Sequence, residues 1–317
     1  MRLLLGIVFS ALVFLAAAFA FSPRALPLFP ATGVRVDTVL LLDAARAGTR
    51  LVAVGERAHI FLSDDEGKTW RLAKSPAQST LTAVYFRDPK HGWAVGHDAL
   101  ILRTEDGGET WQQAHFAPQE ERPLLDIWFR DERHGIALGA YGAYLESSDG
   151  GRSWRSRKIQ EEDTHFNALA GGTDLRLFIA GESGTLLRSA DGGKTWERLA
   201  SPYKGSFFGA VRSGETVLAA YGLRGHIFLS RDAGGSWTPV NNPSEASLMR
   251  GRALKDGTVV LVGQDGNVLV SRDGGRSFAL HRAAGGRALA SMIEAADGDL
   301  LVFGEGGFAR AAGVLGP

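Results

Sequence analysis

Short apolar runs that end in glycine recur along this chain. Examples are Trp93–Gly96 and Leu300–Gly304, and the terminal glycine of the run returns at Gly55, Gly96, Gly139, Gly181, Gly222, Gly263 and Gly304. Apolar runs of this length, bounded by turns rich in glycine and aspartate, predict β-strands. Seven equivalent runs therefore predict seven copies of one strand-rich unit.

An eight-residue motif follows six of these seven runs. Its first copy reads Ser63-x-Asp65-x-Gly67-x-Thr69-Trp70, and it recurs at 104–111, 147–154, 189–196, 230–237 and 271–278. Its aspartates lie 41, 43, 42, 41 and 41 residues apart, at Asp65, Asp106, Asp149, Asp191, Asp232 and Asp273. A fixed period of this length, with four short strands per unit, is typical of a propeller blade. The sequence predicts an all-β, seven-bladed β-propeller over residues 21–317.

The seventh unit lacks the motif. One period after Asp273 stands Val314, close to the last residue, so we expect three strands in this unit. The unassigned segment Leu26–Val34 precedes a first inner strand that we place near Val36–Leu42. We predict that this segment supplies the missing outer strand and closes the ring, because closure removes an exposed sheet edge. Prolines at 23, 27 and 30 leave an extended linker as the alternative.

The motif has the residue types of a tight hairpin. The aspartate can accept hydrogen bonds from neighbouring backbone N–H groups, and the glycine can adopt a positive φ. The terminal tryptophan has an apolar body that we expect to lie between blades. A calcium site is the alternative, but one acid per turn supplies too few oxygen ligands. We therefore assign the six aspartates a structural role and expect neither a metal nor a cofactor.

This motif is the Asp-box, and the chain resembles the BNR/Asp-box propellers and, more narrowly, the Ycf48-like family. The narrower resemblance rests on Gly92–Gly96 followed by Leu100–Trp111, and it covers nearly all of the chain after residue 20. Sialidases, xyloglucanases and sorting receptors also carry Asp-boxes, so the motif is specific for fold and poor for function. The Ycf48-like resemblance implies a non-enzymatic scaffold without a cofactor that helps to assemble a membrane complex. That complex is photosystem II in an oxygenic phototroph, and another membrane machine, such as a transporter, elsewhere.

Composition and charge narrow the partners. The chain has 317 residues, 44% of them hydrophobic, with 35 Lys and Arg balanced by 35 Asp and Glu. The Lys and Arg residues form no dense run, which argues against nucleic-acid binding. We expect a monomer, and the resemblance to the Ycf48-like family implies that its partner is a membrane protein or a subunit of a membrane complex.

Residues 1–20 form a predicted signal peptide or N-terminal membrane anchor. Arg2 precedes an uncharged apolar run over residues 3–21, and Ala18-Phe19-Ala20 has the small-x-small pattern of a cleavage site. The run is also close to the length that spans a bilayer, so an uncleaved anchor remains open. Either interpretation predicts an exported protein, periplasmic or tethered to the inner membrane. The absence of cysteine then leaves its stability to the closed ring.

An Asp-box glycoside hydrolase, such as a sialidase-like enzyme, is the alternative function. Glycoside chemistry generally needs a pair of acids, and sialidases add an arginine triad, a tyrosine nucleophile and an Arg-Ile/Leu-Pro motif. Arg24-Ala25-Leu26-Pro27 is the nearest approach to that motif, and no motif surrounds any of the five tyrosines. We predict no catalytic residues.

The turns that follow the inner strands carry the first group of candidate binding residues. Alternating strand directions place them on the same face as the boxes, the Asp-box face. Blades two and three share Phe86–Gly92 and Phe129–Gly135 there, and their basic residues are candidates for binding an acidic partner or phospholipid: Arg87, Lys90, His91, Arg130, Arg133 and His134. Neighbouring Asp88, Asp131 and Glu132 leave open a neutralised, solvated turn. An uncleaved leader would hold this face near the bilayer.

The opposite face carries less regular loops, where binding residues often occur. Its candidates are His97, Asp98, Tyr141, Glu182, Arg224 and Asp265, together with the long connections at 119–122 and 157–165. No pair of acids on this face can be singled out as catalytic.

Overall fold

The computed structural model describes residues 5–7, 11–15, 34–172 and 174–316. In this part of the chain the strands form seven antiparallel sheets, six of four strands and one of three. Each sheet is one blade, and neighbouring inner strands contact one another all the way round, including those of the first and seventh blades. The predicted seven-bladed β-propeller is confirmed.

The blades follow one another along the chain, and each runs from its inner to its outer strand. Blade one holds Leu41–Ala47 (β1), Arg50–Gly55 (β2), Ile60–Ser63 (β3) and Arg71–Leu72 (β4). Blade two holds Leu81–Phe86 (β5), Gly92–Gly96 (β6), Ile101–Thr104 (β7) and Gln112–His115 (β8). Blade three holds Leu124–Phe129 (β9), Gly135–Gly139 (β10), Tyr144–Ser147 (β11) and Arg155–Ser156 (β12). Blade four holds Phe166–Ala170 (β13), Leu177–Gly181 (β14), Leu186–Ser189 (β15) and Glu197–Arg198 (β16).

The remaining blades repeat this order. Blade five holds Phe207–Arg212 (β17), Leu218–Gly222 (β18), Ile227–Ser230 (β19) and Thr238–Val240 (β20). Blade six holds Leu248–Ala253 (β21), Val259–Gly263 (β22), Asn267–Ser271 (β23) and Ala279–Arg282 (β24). Blade seven holds Leu289–Glu294 (β25), Leu300–Gly304 (β26) and Gly307–Ala311 (β27). Short 3-10 turns join the second and third strands of the first six blades, at Glu56–Ala58, His97–Ala99, Ala140–Gly142, Glu182–Gly184, Leu223–Gly225 and Gln264–Gly266.

The start of the ring differs from the prediction. The first inner strand is β1, from Leu41 to Ala47, whereas Val36–Thr38 forms a 3-10 turn that contacts β27 of blade seven. Another 3-10 turn, Pro118–Glu120, lies between blades two and three. The segment predicted to close blade seven, Leu26–Val34, lies outside the described residues except for Val34, so closure by an N-terminal strand stays a prediction.

The glycine that ends each apolar run is required by a close backbone approach. Every inner strand has a bulge after its first residue, as between Leu81 and Ala83 in blade two. At that point a Cβ atom on Gly96 would lie 2.0 Å from the carbonyl oxygen of Thr80. The equivalent atom on Gly55 would lie 2.0 Å from the oxygen of Leu40. Only glycine lets the second strand pass the bulge.

The box turns are held by one repeated set of hydrogen bonds. In blade four the Ser189 hydroxyl donates to Asp191 Oδ1 at 2.8 Å and accepts the buried N–H of Gly193 at 2.9 Å. Asp191 also accepts the N–H and the hydroxyl of Thr195, at 2.9 and 2.6 Å. Donation from that hydroxyl and N–H lowers the pKa of Asp191 to about 2, and the same arrangement does so at Asp65 and Asp232. The serine hydroxyl and the aspartate together close the hairpin.

The aromatic residue that ends each box packs between blades. Trp70 of blade one lies against Phe303 and Phe308 of blade seven, with ring centroids 6.1 and 5.3 Å apart. Trp111 is buried in the cluster that joins blades one and two. The apolar core is therefore a ring of interblade layers.

The part of the chain before Arg35 is a separate unit, in which residues 5–7 and 11–15 are helical. Among the described residues, no helix combines the length and apolar character that a membrane crossing requires. The cleavage site at Ala18–Ala20 lies outside the described residues.

The buried serine hydroxyl of a box should contribute to the stability of the propeller. Changing Ser189 to alanine removes the acceptor for the buried Gly193 N–H, and we expect a loss of about 1–3 kcal/mol in the free energy of unfolding. Ser189→Thr keeps a hydroxyl, as Thr104 does in blade two, and should cost much less. Urea titrations of both variants measure the difference, and equal midpoints would show that this hydroxyl is dispensable.

Stability should fall in acid. The folded-state pKa of Asp65, Asp191 and Asp232, about 2, is below the ordinary value of 3.8, so the unfolded chain binds more protons in that interval. Stability from these groups is complete above pH 3.8 and is lost as the pH falls through about 2. We expect the melting temperature to drop across this window, with a shallower drop in Asp191→Asn. A flat profile between these two pH values would contradict the role given to the aspartates.

Candidate functional site

The basic turn of blade two is largely neutralised by its own acids. Asp88 accepts the backbone N–H groups of Lys90 and His91, each at 2.9 Å, and contacts the His91 ring. Although burial opposes it, these bonds hold the pKa of Asp88 well below its usual range. Arg87 pairs with Asp88 and reaches Glu132 of blade three at 3.2 Å. Lys90 is left exposed at the rim.

Blade three repeats this arrangement. Arg130 pairs with Asp131 at 3.0 Å, and Asp131 also accepts the N–H groups of Arg133 and His134. The His134 ring lies 2.9 Å from the same carboxylate. Arg133 is exposed and donates from Nε to the carbonyl oxygen of Ser148 at 3.2 Å. The predicted basic surface thus retains exposed cations mainly at Lys90 and Arg133.

The candidates on the opposite face occupy equivalent turns in different blades and do not converge. They lie in the 3-10 turns after the second strands of blades two to six: His97, Asp98, Tyr141, Glu182, Arg224 and Asp265. Tyr141 is exposed and rests edge-on against His165, with ring centroids 4.7 Å apart. Asp98 accepts the hydroxyl of Ser79 at 2.5 Å. This face presents separate turns around the disc.

The structure brings together a group of charged residues that the sequence did not single out. They occupy one register position of the inner strands, directly after the bulge. At this position the seven blades carry Asp43, Ala83, Asp126, Ala168, Gly209, Arg250 and Ser291. Four of the seven are small residues without charge, so Asp43, Asp126 and Arg250 stand out. Alignment of the repeats on their terminal glycines would have revealed them.

Asp43 is the centre of this group and is only 1% exposed. Its carboxylate accepts the Ser291 hydroxyl at 2.7 Å and the Val84 N–H at 3.0 Å. It also pairs with Arg250 at 2.7 Å. Arg252 lies 3.8 Å away, too far for a hydrogen bond, and donates instead to the carbonyl oxygen of Ala44. One carboxylate therefore faces two guanidinium groups.

Asp126 sits on the other side of Arg250, at 3.6 Å, and accepts the N–H groups of Ile127 and Leu169. Burial raises the pKa of Asp126. Burial disfavours the charged form of both arginines. At Arg252 burial prevails and lowers the pKa. At Arg250 the carboxylates of Asp43 and Asp126 outweigh burial and raise the pKa. Arg252 Nε is buried and has no hydrogen-bond partner among the described residues.

These groups open toward the Asp-box face. A channel cavity of about 360 Å³ is lined by Arg250, Arg252, Tyr85 and Trp128 among others. A neighbouring opening of about 470 Å³ shares Arg46 and Arg252 and adds Lys255. Arg46 is engaged by Glu66 at 2.7 Å, whereas Lys255 is exposed. We call Arg46, Arg250, Arg252 and Lys255 the channel mouth.

The channel mouth has the chemistry of an anion-binding site with aromatic walls. Guanidinium groups bind carboxylates with paired hydrogen bonds, and Arg252 retains donor capacity. Both channel carboxylates, Asp43 and Asp126, lie beside Arg250 and accept backbone N–H groups. Within the described ranges, no cluster of three or more His, Asp or Glu side chains could hold a metal ion.

Comparison with protein families gives one match that spans most of the chain. Residues 62–123 and 118–312 match the family model described as photosynthesis system II assembly factor YCF48. Comparison with curated protein sequences found no match.

Solved structures give the same fold. A structure described as YCF48 bound to D1 peptide is 19% identical, with a TM-score of 0.71 over 91% of this chain and 98% of that one. YCF48 from Cyanidioschyzon merolae is 14% identical, with a TM-score of 0.69 over 89% and 97%. A streptogramin B lyase is 11% identical, with a TM-score of 0.75 over 88% and 95%. The fold is thus shared by an enzyme as well.

Removing Asp43 should destabilise the ring more than removing Asp126. Asp43→Ala leaves Arg250 without its nearest partner and strands the Ser291 hydroxyl and the Val84 N–H, so we expect a loss of about 3–5 kcal/mol. Asp126→Ala leaves the Asp43–Arg250 pair intact and should cost about 1–3 kcal/mol. Chemical denaturation of both variants tests the order. Equal losses would show that Asp43 has no special place in the cluster.

Proposed function

The chain belongs to the family of photosynthesis system II assembly factor YCF48, and on this basis we propose that it is a non-enzymatic scaffold that binds a membrane protein subunit during assembly of a membrane complex. In an oxygenic phototroph that complex is photosystem II. In another host the same role serves a different membrane machine, such as a transporter.

The channel mouth is the observation that carries this proposal. It places cationic donors at the end of an aromatic-walled channel, with Arg252 only weakly engaged by Asp43. Such a site suits a peptide carboxylate, terminal or in a side chain, because arginine pairs with carboxylates in a fixed geometry. A protein of the same fold and family is described as bound to a D1 peptide, which supports a peptide as the ligand class.

Export forms the second part of the proposal. The apolar run at residues 3–21 directs the propeller across the inner membrane, as a cleaved signal or as an anchor. A membrane subunit with an extracytoplasmic segment then meets the channel mouth in the same compartment.

Two substitutions at the channel mouth test the proposal. Arg252→Gln removes a guanidinium without adding a charge beside Asp43, and Lys255→Glu reverses an exposed charge at the rim. We expect both to weaken recovery of a membrane subunit with the tagged protein from host membranes by about tenfold, with unchanged melting. Lys204→Glu, on the exposed opposite face, is the matched control.

Recovery of the same subunit by all three variants would reject the channel mouth as the binding site. Turnover of aryl glycosides by the purified protein, lost in a variant without Asp126, would replace the scaffold by the glycoside hydrolase alternative.

A further inference from the structure

A second cavity of about 400 Å³ lies between blades three and four on the Asp-box face. Trp128, Trp154 and Ile136 are among the residues that line it. Trp154 is fixed by donation from its Nε1 to the carbonyl oxygen of Gly151 at 3.2 Å and by edge-on packing against Phe129. One aromatic side of the cleft is therefore held in place by its own contacts.

Trp128 packs closely against blade four. The position that holds Phe86 in blade two and Phe129 in blade three holds Gly171 in blade four, directly after β13. A Cβ atom on Gly171 would lie 2.5 Å from the Trp128 ring. The absence of a side chain at Gly171 lets the indole of Trp128, which lines the cleft, lie against blade four.

The cleft carries unbalanced positive charge. Arg130 and His134 share Asp131, and Glu146 is paired with Arg157 at 2.8 Å. Arg155 and Lys194 also line the cleft, one on each blade, and neither forms an ion pair with another described residue. The cleft thus has two cations, one on each blade, whose charge suits an acidic group.

Trp128 joins this cleft to the channel mouth, because it lines both cavities. A chain whose carboxylate reached Arg252 could leave the channel across Trp128 and pass outward between blades three and four. An extended peptide advances about 3.3 Å per residue, so the cleft would receive residues only a few positions from that carboxylate.

We propose that the cleft between blades three and four binds the peptide segment next to the captured carboxylate, and that this segment carries an acidic side chain paired with Lys194 and Arg155. The inference rests on the proposed function and adds the path and the charge of the bound peptide. Its occupant is an acidic stretch of the partner subunit.

The seven tryptophans supply a direct readout, since each indole N–H gives its own NMR signal. Trp128→Phe and Trp154→Phe assign the two relevant signals. The probe is a ten-residue glycine–serine peptide with a free terminal carboxylate, with one glutamate placed in turn at the third to sixth position from that end. We expect at least one of these peptides, at millimolar concentration, to shift both signals.

Charge reversal then separates the two cavities. Lys194→Glu should weaken binding of the glutamate peptide about three- to tenfold and abolish the Trp154 shift, while the Trp128 shift remains. Lys68→Glu, at the same box position in blade one, is the matched control and should change nothing. A peptide without glutamate should shift Trp128 alone.

If the glutamate peptides move the Trp128 signal of the unsubstituted protein but none of them moves its Trp154 signal, the cleft is overturned and the proposed function stands. Equal effects of Lys194→Glu and Lys68→Glu lead to the same conclusion. If neither signal moves with any of the peptides, carboxylate capture at the channel mouth fails together with the cleft.

Discussion

The buried carboxylate of Asp43 is the polar group that links most blades of the ring. It belongs to blade one, accepts a backbone N–H from blade two, and binds Arg250 of blade six and Ser291 of blade seven. In a closed propeller the last sheet must pack against the first. The seventh sheet has three strands in the described part of the chain. The hydrogen bond between Asp43 and Ser291 therefore adds to the apolar layer between the first and last blades.

The same carboxylate shapes the candidate site. A buried ion pair offsets the cost of its desolvation only when its geometry is good and further hydrogen bonds satisfy the charged groups. The pair of Asp43 and Arg250 has a short contact, and Asp43 accepts two further hydrogen bonds. Arg252 receives much less, because its nearest contact with Asp43 is 3.8 Å. Asp43 thus pairs closely with the guanidinium of Arg250 and leaves that of Arg252 beside the cavity, where a carboxylate from another molecule can bind it.

The sequence predicted the blades well because their determinants are local. A glycine beside each bulge and a serine–aspartate pair in each box act within a few residues, so they are visible as a repeating pattern. The start of the first inner strand was wrong, since the apolar residues from Val36 onward resemble a strand but the first of them form a 3-10 turn against blade seven.

The channel cluster was missed for a related reason. Asp43 and Arg250 are far apart along the chain and meet only because the ring closes, so neither has a local motif. The basic turns, in contrast, were conspicuous in sequence, but Asp88 and Asp131 stand next to the arginines that they neutralise. The neutralised turns could be predicted because the paired residues are neighbours in sequence. The channel cluster could not, because Asp43 and Arg250 are distant in sequence.

A repeat fold offers an internal comparison that a single-copy fold lacks. Blades one to seven hold Ala45, Tyr85, Trp128, Ala170, Val211, Arg252 and Ile293 at one inner-strand position, and all except Arg252 are uncharged. A lone arginine among apolar counterparts costs desolvation, and its Nε has no partner among the described residues. Packing does not account for that cost, because the other blades fold with small or apolar residues at the same place. Since the fold itself is shared by binding proteins and by a lyase, such departures from the repeat are better evidence of function than the repeat, and they converge on the Asp-box end of the channel.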